Sequence, residues 1–580
     1  MNCIQNWPNI FFALFLRYFY RIKTQKLKYI FSIYTLLFFS IWASAQNYYL
    51  KAEGKNDTET KIIDSIGYNK THPNAKSVSD ETKKLTTTLQ RKGYLEAHIQ
   101  DYIKTNDTSF VYSFNIGIKT NTLYIYTGKI SAEEKELLNI TQDTLTIPLE
   151  EAESFMTSNT KLLEQKGYSI SSVQLSDYNK KNNSLYTTLL LKTEKKRTID
   201  GLTIEGYKNF PEGIRRNILR QYKGKTFNQN NLERIYKDFN SLRFVTQPRY
   251  PEILFKEDST NIYVYLEKGK PNTFDGFIGF TNDDSDNIIF NGYIDVLLNN
   301  VLNSGEKFNL YWKSDGQKQT TFNAALELPY IFKSPLGIKA SLKIFKQDST
   351  FQNTVTDLNL GYYFSYNSKL FLGYQQTESV DIQNSNSSTL SDYSNHFWTT
   401  TYEYASYNTN DFLFPEKTSL ELKGGLGQRD SKTGSSDQYF IQLEASHNLY
   451  LNDRNIINLR NQTFYLESDN YIVSELYRFG GINSFRGFNE NSLQANLYTA
   501  LMAEYRYVLA PNMYIHSITD YGYIQDETSN IKDNLLGLGF GFGLLTKTGL
   551  FNIIYANGST KDQTIKLSNS ILHLSFSTTF

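Results

Sequence analysis

Residues 571–580, at the C-terminal end of the sequence, read ILHLSFSTTF. Apolar and polar residues alternate along this stretch with a period of two, which is typical of a β-strand whose two faces meet different surroundings. The stretch therefore predicts a strand with one face towards lipid or a core and the other towards water. The apolar face carries four large side chains: Leu572, Leu574, Phe576 and Phe580.

Alternation of this kind begins near Thr273 and recurs to the end of the chain, as in 308–313, 322–328 and 338–344. Because lysines and glutamates occupy the polar face, that face suits a water-filled lumen better than the dry core of a sandwich. Residues 271–580 have room for about sixteen antiparallel strands of about ten residues each. We therefore expect an all-β transmembrane barrel in this part of the chain.

The N-terminal segment has the features of a secretory signal peptide. Residues 21–28 are rich in Arg and Lys and contain no acidic residue, and an apolar stretch follows at 29–42. An A-x-A cleavage site, Ala43-Ser44-Ala45, comes next. The apolar stretch is shorter than the about twenty residues that a transmembrane helix needs. We therefore expect residues 1–45 to be removed on export.

The composition favours a membrane barrel over most soluble folds. Aromatic residues make up 15% of the 580 residues, with 44 Tyr and 39 Phe, and membrane barrels use aromatic rings as girdles at both lipid–water interfaces. A large tyrosine-rich soluble β-protein is the alternative. The formal net charge of +1 gives no argument for a nucleic-acid partner. The single cysteine, Cys3, lies in the predicted signal peptide, so no disulfide is expected in the mature chain.

Between these two parts, a pattern of helix, break, strand, polar turn and strand recurs three times, in 46–127, 128–195 and 196–270. The first two helices are followed by Gly93 and Gly167, and glycine is the residue that best adopts the left-handed conformation after a helix. The third copy also shows a leading strand and a short helix. Asn and Asp favour the tight turns of hairpins, and the three predicted turns are Asn106-Asp107, Asn182-Asn183 and Asp258-Ser259.

Tandem α+β units before a barrel resemble POTRA domains, although another array of small α+β domains would share the pattern. The resemblance implies periplasmic units that bind client proteins or a periplasmic or inner-membrane partner. Physically, such a unit can bind an extended segment by adding it as a strand to an exposed sheet edge. The terminal Phe580 on the apolar face likewise resembles the assembly signal of bacterial outer-membrane barrels.

A glycine- and arginine-containing motif narrows the family. Residues 478–488 read RFGGINSFRGF and resemble the loop signature of the BamA/TamA superfamily. Within that superfamily, the three POTRA-like units make the layout of this chain most similar to that of TamA. In that family the loop folds back into the barrel. The positions that match the signature are Gly480, Gly481, Arg486, Gly487 and Phe488.

A second resemblance lies at 518–522, ITDYG, which is similar to a barrel strand of the same family. By this analogy Asp520 and Gly522 face the lumen, Asp520 pairs with Arg486, and Glu504 is a further partner. The pairing also has a physical reason, because a guanidinium inside a barrel needs a carboxylate to offset its desolvation. Gly487 would allow a sharp turn or a close approach to the wall.

The resulting hypothesis is a Gram-negative outer-membrane factor that inserts or translocates unfolded outer-membrane or secreted clients. Its barrel seam, between a first strand near 274–280 and the last strand at 571–580, would open within the surrounding lipid. A two-partner-secretion-type transporter and a plain channel or receptor barrel remain the alternatives. No hydrolase or paired-histidine motif is present, and the glycines at 537, 539, 541 and 543 do not fit a dinucleotide loop. We therefore expect no enzyme activity, cofactor, metal, nucleotide or nucleic-acid partner.

Overall fold

The structure, a computed structural model, describes residues 47–282, 288–314, 319–384, 390–408, 411–432 and 434–579. The predicted signal peptide and Phe580 lie outside the described residues. The described residues divide into two compact parts, with the division between Lys195 and Lys196.

The N-terminal part contains two small α+β units, each a four-stranded mixed sheet with two helices. The sheet orders are β2-β1-β4-β3 and β6-β5-β8-β7, and β1 and β5 run parallel to β4 and β8. The first unit consists of β1 (Tyr48–Gly54), α1 (Asp57–Ile66), β2 (Thr71–His72), α2 (Ala75–Arg91), β3 (His98–Asn106) and β4 (Ser109–Asn115). The second consists of β5 (Thr122–Tyr126), α3 (Ala132–Leu137), β6 (Thr144–Pro148), α4 (Ala152–Gln165), β7 (Ser172–Lys181) and β8 (Ser184–Lys192).

The helix ends show why glycine recurs in these units. After α2, the N–H of Tyr94 donates to the carbonyl of Leu89 at 3.0 Å, and Gly93 has a φ of 99°. This arrangement is a Schellman motif, which needs a left-handed residue at the position that Gly93 occupies. Gly167, with a φ of 96°, ends α4 in the same way. Both predicted helix ends are therefore confirmed.

A third α+β unit opens the C-terminal part. Its sheet has the order β11-β12-β9, and β10 pairs with β13. The leading strand and short helix that the sequence showed only here are present in all three units. The elements are β9 (Gly201–Glu205), α5 (Glu212–Tyr222), α6 (Gln229–Asn240), β10 (Val245–Thr246), β11 (Glu252–Phe255), β12 (Thr260–Tyr265) and β13 (Glu267–Lys268).

This third unit packs directly on the short turns at one end of the barrel. The side chain of Asn217 on α5 donates to the carbonyl of Ser334 at 3.1 Å, and Gln221 donates to that of Phe364 at 3.1 Å. Tyr330 and Tyr363 of the barrel belong to the same hydrophobic core as the helices of the unit. The unit and the barrel rim therefore share one core.

The rest of the chain forms a closed barrel of sixteen antiparallel strands, β14 to β24 and β27 to β31, which confirms the predicted fold class. The first eleven are β14 (Thr273–Asn282), β15 (Ile288–Asn299), β16 (Lys307–Ser314), β17 (Gln319–Leu328), β18 (Leu336–Gln347), β19 (Phe351–Ser365), β20 (Ser368–Asp381), β21 (Tyr393–Tyr407), β22 (Glu416–Ser431), β23 (Gly434–Tyr450) and β24 (Asn455–Ser468). A lumenal hairpin, β25 (Tyr477–Phe479) and β26 (Leu493–Ala495), precedes β27 (Leu497–Ala510), β28 (Met513–Asp526), β29 (Ile531–Leu545), β30 (Gly549–Ser559) and β31 (Ile571–Thr579).

The barrel closes through a short seam. Along their described residues, β14 and β31 pair only at Thr273 with Thr579 and at Phe274 with Thr578, whereas β30 and β31 pair over eight positions. On β31, Leu572, Leu574 and Phe576 point outwards and are 60%, 58% and 38% exposed.

None of the helices in the described part of the chain is long and apolar enough to cross a membrane.

Candidate functional site: an arginine-anchored loop in the barrel lumen

The connection between β24 and β27, residues 469–496, lies inside the barrel. It includes a 3-10 turn at Val473–Glu475 and the β25–β26 hairpin. Gly480, Gly481 and Gly487 have φ values of 105°, 104° and 89°. Residues other than glycine rarely adopt such values. The motif glycines are thus the points at which this loop changes direction.

Arg486 at the tip of the loop is fully buried and meets two carboxylates of the wall. Its Nε donates to Asp520 Oδ2 at 2.9 Å and its Nη2 to Asp520 Oδ1 at 2.5 Å, while Nη1 donates to Glu504. The backbone N–H of Arg486 also donates to Asp520 at 3.1 Å. Asp520 lies on β28 and Glu504 on the neighbouring β27, so one side chain ties the loop to two adjacent strands.

A second arginine balances the charge of this cluster. The guanidinium of Arg506 donates to the other oxygen of Glu504, with Nε and Nη2 each at 2.7 Å, and it lies over the ring of Phe414, 4.5 Å from the centroid. His516 Nδ1 lies 3.5 Å from the same oxygen. Two arginines therefore neutralise two buried carboxylates, as a low-dielectric site requires. The stretch Glu504-Tyr505-Arg506 resembles a family pattern, but the sequence analysis gave a role only to Glu504, although Arg506 lies on the same strand face.

Glycines of the wall receive the loop. A Cβ atom on Gly537 would lie 2.6 Å from the carbonyl oxygen of Arg486, and one on Gly522 would lie 2.9 Å from the ring of Phe485. Gly558 on β30 faces the ring of Phe488. A Cβ atom on Gly487 of the loop would overlap the backbone of Gly558. Because glycine has no side chain, the loop backbone can approach the barrel wall closely at these points.

The beginning of the loop has its own anchor, which the sequence did not reveal. Arg429 on β22 and Glu475 form an ion pair at 2.6 Å, and both side chains are almost fully buried. Gln438 donates to the second oxygen of Glu475 at 2.9 Å, and Arg429 also donates to the carbonyl of Asn470 at 3.1 Å. Arg429 on β22 therefore anchors the start of the loop, and Glu504 and Asp520 on β27 and β28 anchor its tip.

The remaining lumen is polar and lined with paired charges. Lys369 contacts Glu327 at 2.5 Å and Glu403 at 3.2 Å, and Lys339 contacts Glu403 at 2.5 Å. Glu327, Lys369 and Glu403 border a cavity of about 480 Å³. Among the described residues, no group of three or more His, Cys, Asp or Glu side chains is placed to hold a metal ion.

Residues 300–580 match the Omp85 superfamily domain. This barrel belongs to the Omp85 superfamily. It is the superfamily of BamA- and TamA-like proteins that the loop motif indicated. Omp85 barrels are outer-membrane proteins that act in protein insertion and translocation. The outer-membrane assignment of this Omp85 barrel follows from its family.

Solved structures of Omp85 proteins are similar to this chain at low identity. BamA from Haemophilus ducreyi lacking POTRA domains 1-3 is 14% identical, with 79% of this chain and 99% of that chain covered and a TM-score of 0.46. CdiB from Acinetobacter baumannii is 13% identical, with 80% and 90% covered and a TM-score of 0.48. CdiB from Escherichia coli is 13% identical, with 87% and 98% covered and a TM-score of 0.48. No curated protein matches this chain.

Proposed function

We propose that this protein is an assembly factor that inserts or translocates client proteins at the outer membrane through its barrel seam. The observation that carries the proposal is the short pairing between β14 and β31, which spans two residue pairs along the described residues of these strands. On its other side, β14 pairs with β15 over ten positions, from Thr273 to Asn282. The first strand is therefore firmly held on one side and nearly free on the other.

Free strand edges in a membrane are templates for further strands. Unpaired N–H and C=O groups cost several kcal/mol each in hydrocarbon, and the edges of β14 and β31 can lower this cost by pairing with a client strand. Burial of the client's apolar face in lipid adds to the driving force. The process needs no nucleotide and no enzymatic step, since pairing and burial supply the free energy.

In this proposal the α+β units face the periplasm and deliver clients to the barrel. β3 is an edge strand of the first sheet, and Tyr102 and Ile103 on it are more than half exposed. An extended client segment could add to this edge through backbone hydrogen bonds. The predicted boundary between the first two units, 46–127 and 128–195, moves to between Asn115 and Thr122, because β5 pairs within the second sheet. The other proposed boundaries are unchanged, with the third unit at 196–270 and the barrel at 271–580.

A reversible lock on the seam tests the function. Because Cys3 is the only cysteine of the sequence, the paired positions Phe274→Cys and Thr578→Cys can be joined in a mature chain without other thiols. We expect the locked variant to reproduce the effect of depletion, namely a loss of barrel proteins from the outer-membrane proteome, and a reductant to reverse it.

A matched control places the same bond where the barrel is already paired. Leu358 and Tyr374 are register partners on β19 and β20 and both face outwards, so Leu358→Cys with Tyr374→Cys should leave the proteome unchanged. Loss of a single exported protein would indicate a dedicated transporter. A proteome that neither depletion nor the seam lock changes would contradict the proposal.

A further inference from the structure

Beyond the anchored tip, the lumenal loop also contacts the wall at β16. Glu490 forms an ion pair with Lys313 on β16, and the hydroxyl of Tyr311 on the same strand donates to Glu490 at 3.0 Å. Tyr311 and Lys313 are two residues apart and therefore lie on one face of the strand. Two groups of β16 thus hold one carboxylate of the loop.

This contact lies on the opposite side of the seam from the rest of the loop tip. Arg486 is bound to β27 and β28, and Phe488 packs on Gly558 of β30. These are strands of the C-terminal side of the barrel, whereas β16 is the third strand of the N-terminal side. In the closed barrel only β31, β14 and β15 lie between β30 and β16. The segment from Phe488 to Glu490 therefore crosses the seam on its lumenal side.

The strands next to the seam are paired much more extensively than the seam itself. β15 and β16 pair over eight positions and β30 and β31 over eight, against two between β14 and β31. The hydrogen-bonded ion pair of Glu490 therefore adds to the closure at the place where backbone pairing is weakest. Charge-assisted hydrogen bonds are shorter and stronger than neutral ones.

We propose that Glu490, Lys313 and Tyr311 form a clasp that holds the seam closed from the lumen and must be released before the seam opens. The biological use of the clasp rests on the proposed function, but the closure itself is a property of the barrel. A strand added at the seam would separate β30 from β16 by about 4.8 Å more. A contact of hydrogen-bond length cannot persist across that change, so clasp and open seam exclude each other.

Glu490, Lys313 and Tyr311 act by holding the two sides of the seam together. The distance across the seam is therefore the quantity to measure. Spin labels on cysteines introduced at Leu326 on β17 and Phe540 on β29, which both face outwards, report the distance across the seam in a lipid nanodisc. We expect one short distance in the otherwise unchanged protein. Lys313→Gln and Glu490→Gln should raise the population at longer distances about tenfold, which corresponds to about 1.4 kcal/mol.

Two further variants make the result specific. The exchanged pair Lys313→Glu with Glu490→Lys should restore the short distance. Lys423→Gln removes a similar lumenal ion pair, with Asp357, that joins β22 and β19 far from the seam, and it should leave the distances unchanged. If the single Lys313 and Glu490 variants fold poorly, Tyr311→Phe and the exchanged pair carry the same test.

The clasp is overturned if the Lys313 and Glu490 variants keep the short distance, or if Lys423→Gln widens the seam as much as they do. These distances are measured without clients, so they are separate from the proteome test. A released clasp in a protein whose depletion affects no client would contradict the proposed function alone. If depletion of the protein affects clients but Glu490→Gln leaves the distance across the seam unchanged, the clasp alone is contradicted.

Discussion

Arg486 of the lumenal loop and Asp520 of β28 face each other through two side-chain hydrogen bonds, of 2.9 and 2.5 Å, and both residues are fully buried. A bidentate pair of this kind fixes both the distance and the orientation of the loop. Because Glu504 accepts from the same guanidinium, the loss of Arg486 would leave two carboxylates buried on adjacent strands.

We therefore expect Arg486→Ala to release the loop tip while the barrel still folds. Removing one partner of a buried ion pair costs about 3–5 kcal/mol, and Arg486→Lys should cost less because it keeps the charge but loses the paired geometry. Limited proteolysis between residues 478 and 490 measures the release. Arg454→Ala, at an exposed turn, is the matched control, and equal cleavage of all three variants would contradict the prediction.

The close contact between Gly537 of the wall and the backbone of Arg486 can be tested by adding one methyl group. Gly537→Ala places a Cβ 2.6 Å from the carbonyl oxygen of Arg486, so the loop or the wall must shift. We expect a loss of about 1–3 kcal/mol, the usual range for overpacking, measured as a lower midpoint of thermal unfolding. Gly424→Ala is the control because the nearest atom to its Cβ would be 3.8 Å away. Similar midpoints of thermal unfolding for Gly537→Ala and Gly424→Ala would show that the close contact at Gly537 does not contribute to stability.

The sequence was informative where a local pattern repeats. Period-two alternation predicted the barrel strands, and Gly93 marked a helix end because its left-handed conformation is needed there. The leading strands β1 and β5 were missed, although β9, which pairs in parallel with β12 in the same way, was recognised. The short helices α1 and α3 were missed with them, although the third unit showed the same order.

At the candidate site, the contact of Arg486 with Asp520 could be anticipated because both residues lie in recognisable motifs and carry opposite charges. Its functional role stays a prediction. Arg429 and Glu475 gave no such signal, since each is one charged residue in an ordinary segment and only the closed barrel brings them together. The glycines from 537 to 543 indicated close contact, but their alternation does not identify the partner, which is the loop only at Gly537.

The second anchor should act independently of the first. Arg429→Met leaves Glu475 buried without its cation, and we expect faster hydrogen exchange in residues 469–476 than in 484–490. Arg486→Ala should give the reverse pattern, because each arginine contacts a different segment of the loop. The double variant Arg429→Met with Glu475→Gln should recover part of the protection, since no buried charge remains unpaired. Equal loss in both segments would show that the loop moves as one body.

Acid should weaken the start of α5 through Glu212. The hydrogen bonds from Arg215, followed by those from Arg216, lower the pKa of Glu212 from 4.5 to about 2. Since this pKa is lower in the folded state, the carboxylate contributes stability above about pH 4.5, and the contribution disappears as the pH falls towards 2.

Glu212→Gln should therefore speed hydrogen exchange of α5 in the full-length protein at pH 7, and the difference from the unchanged protein should vanish near pH 2. The effect is expected to be small, because surface ion pairs contribute at most about 1 kcal/mol. Glu233→Gln is the matched control: Glu233 forms an exposed i,i+4 pair with Lys237 on α6, a helix outside the measured segment. A difference in α5 that stays constant from pH 7 to pH 2 would contradict a charge-based contribution from Glu212.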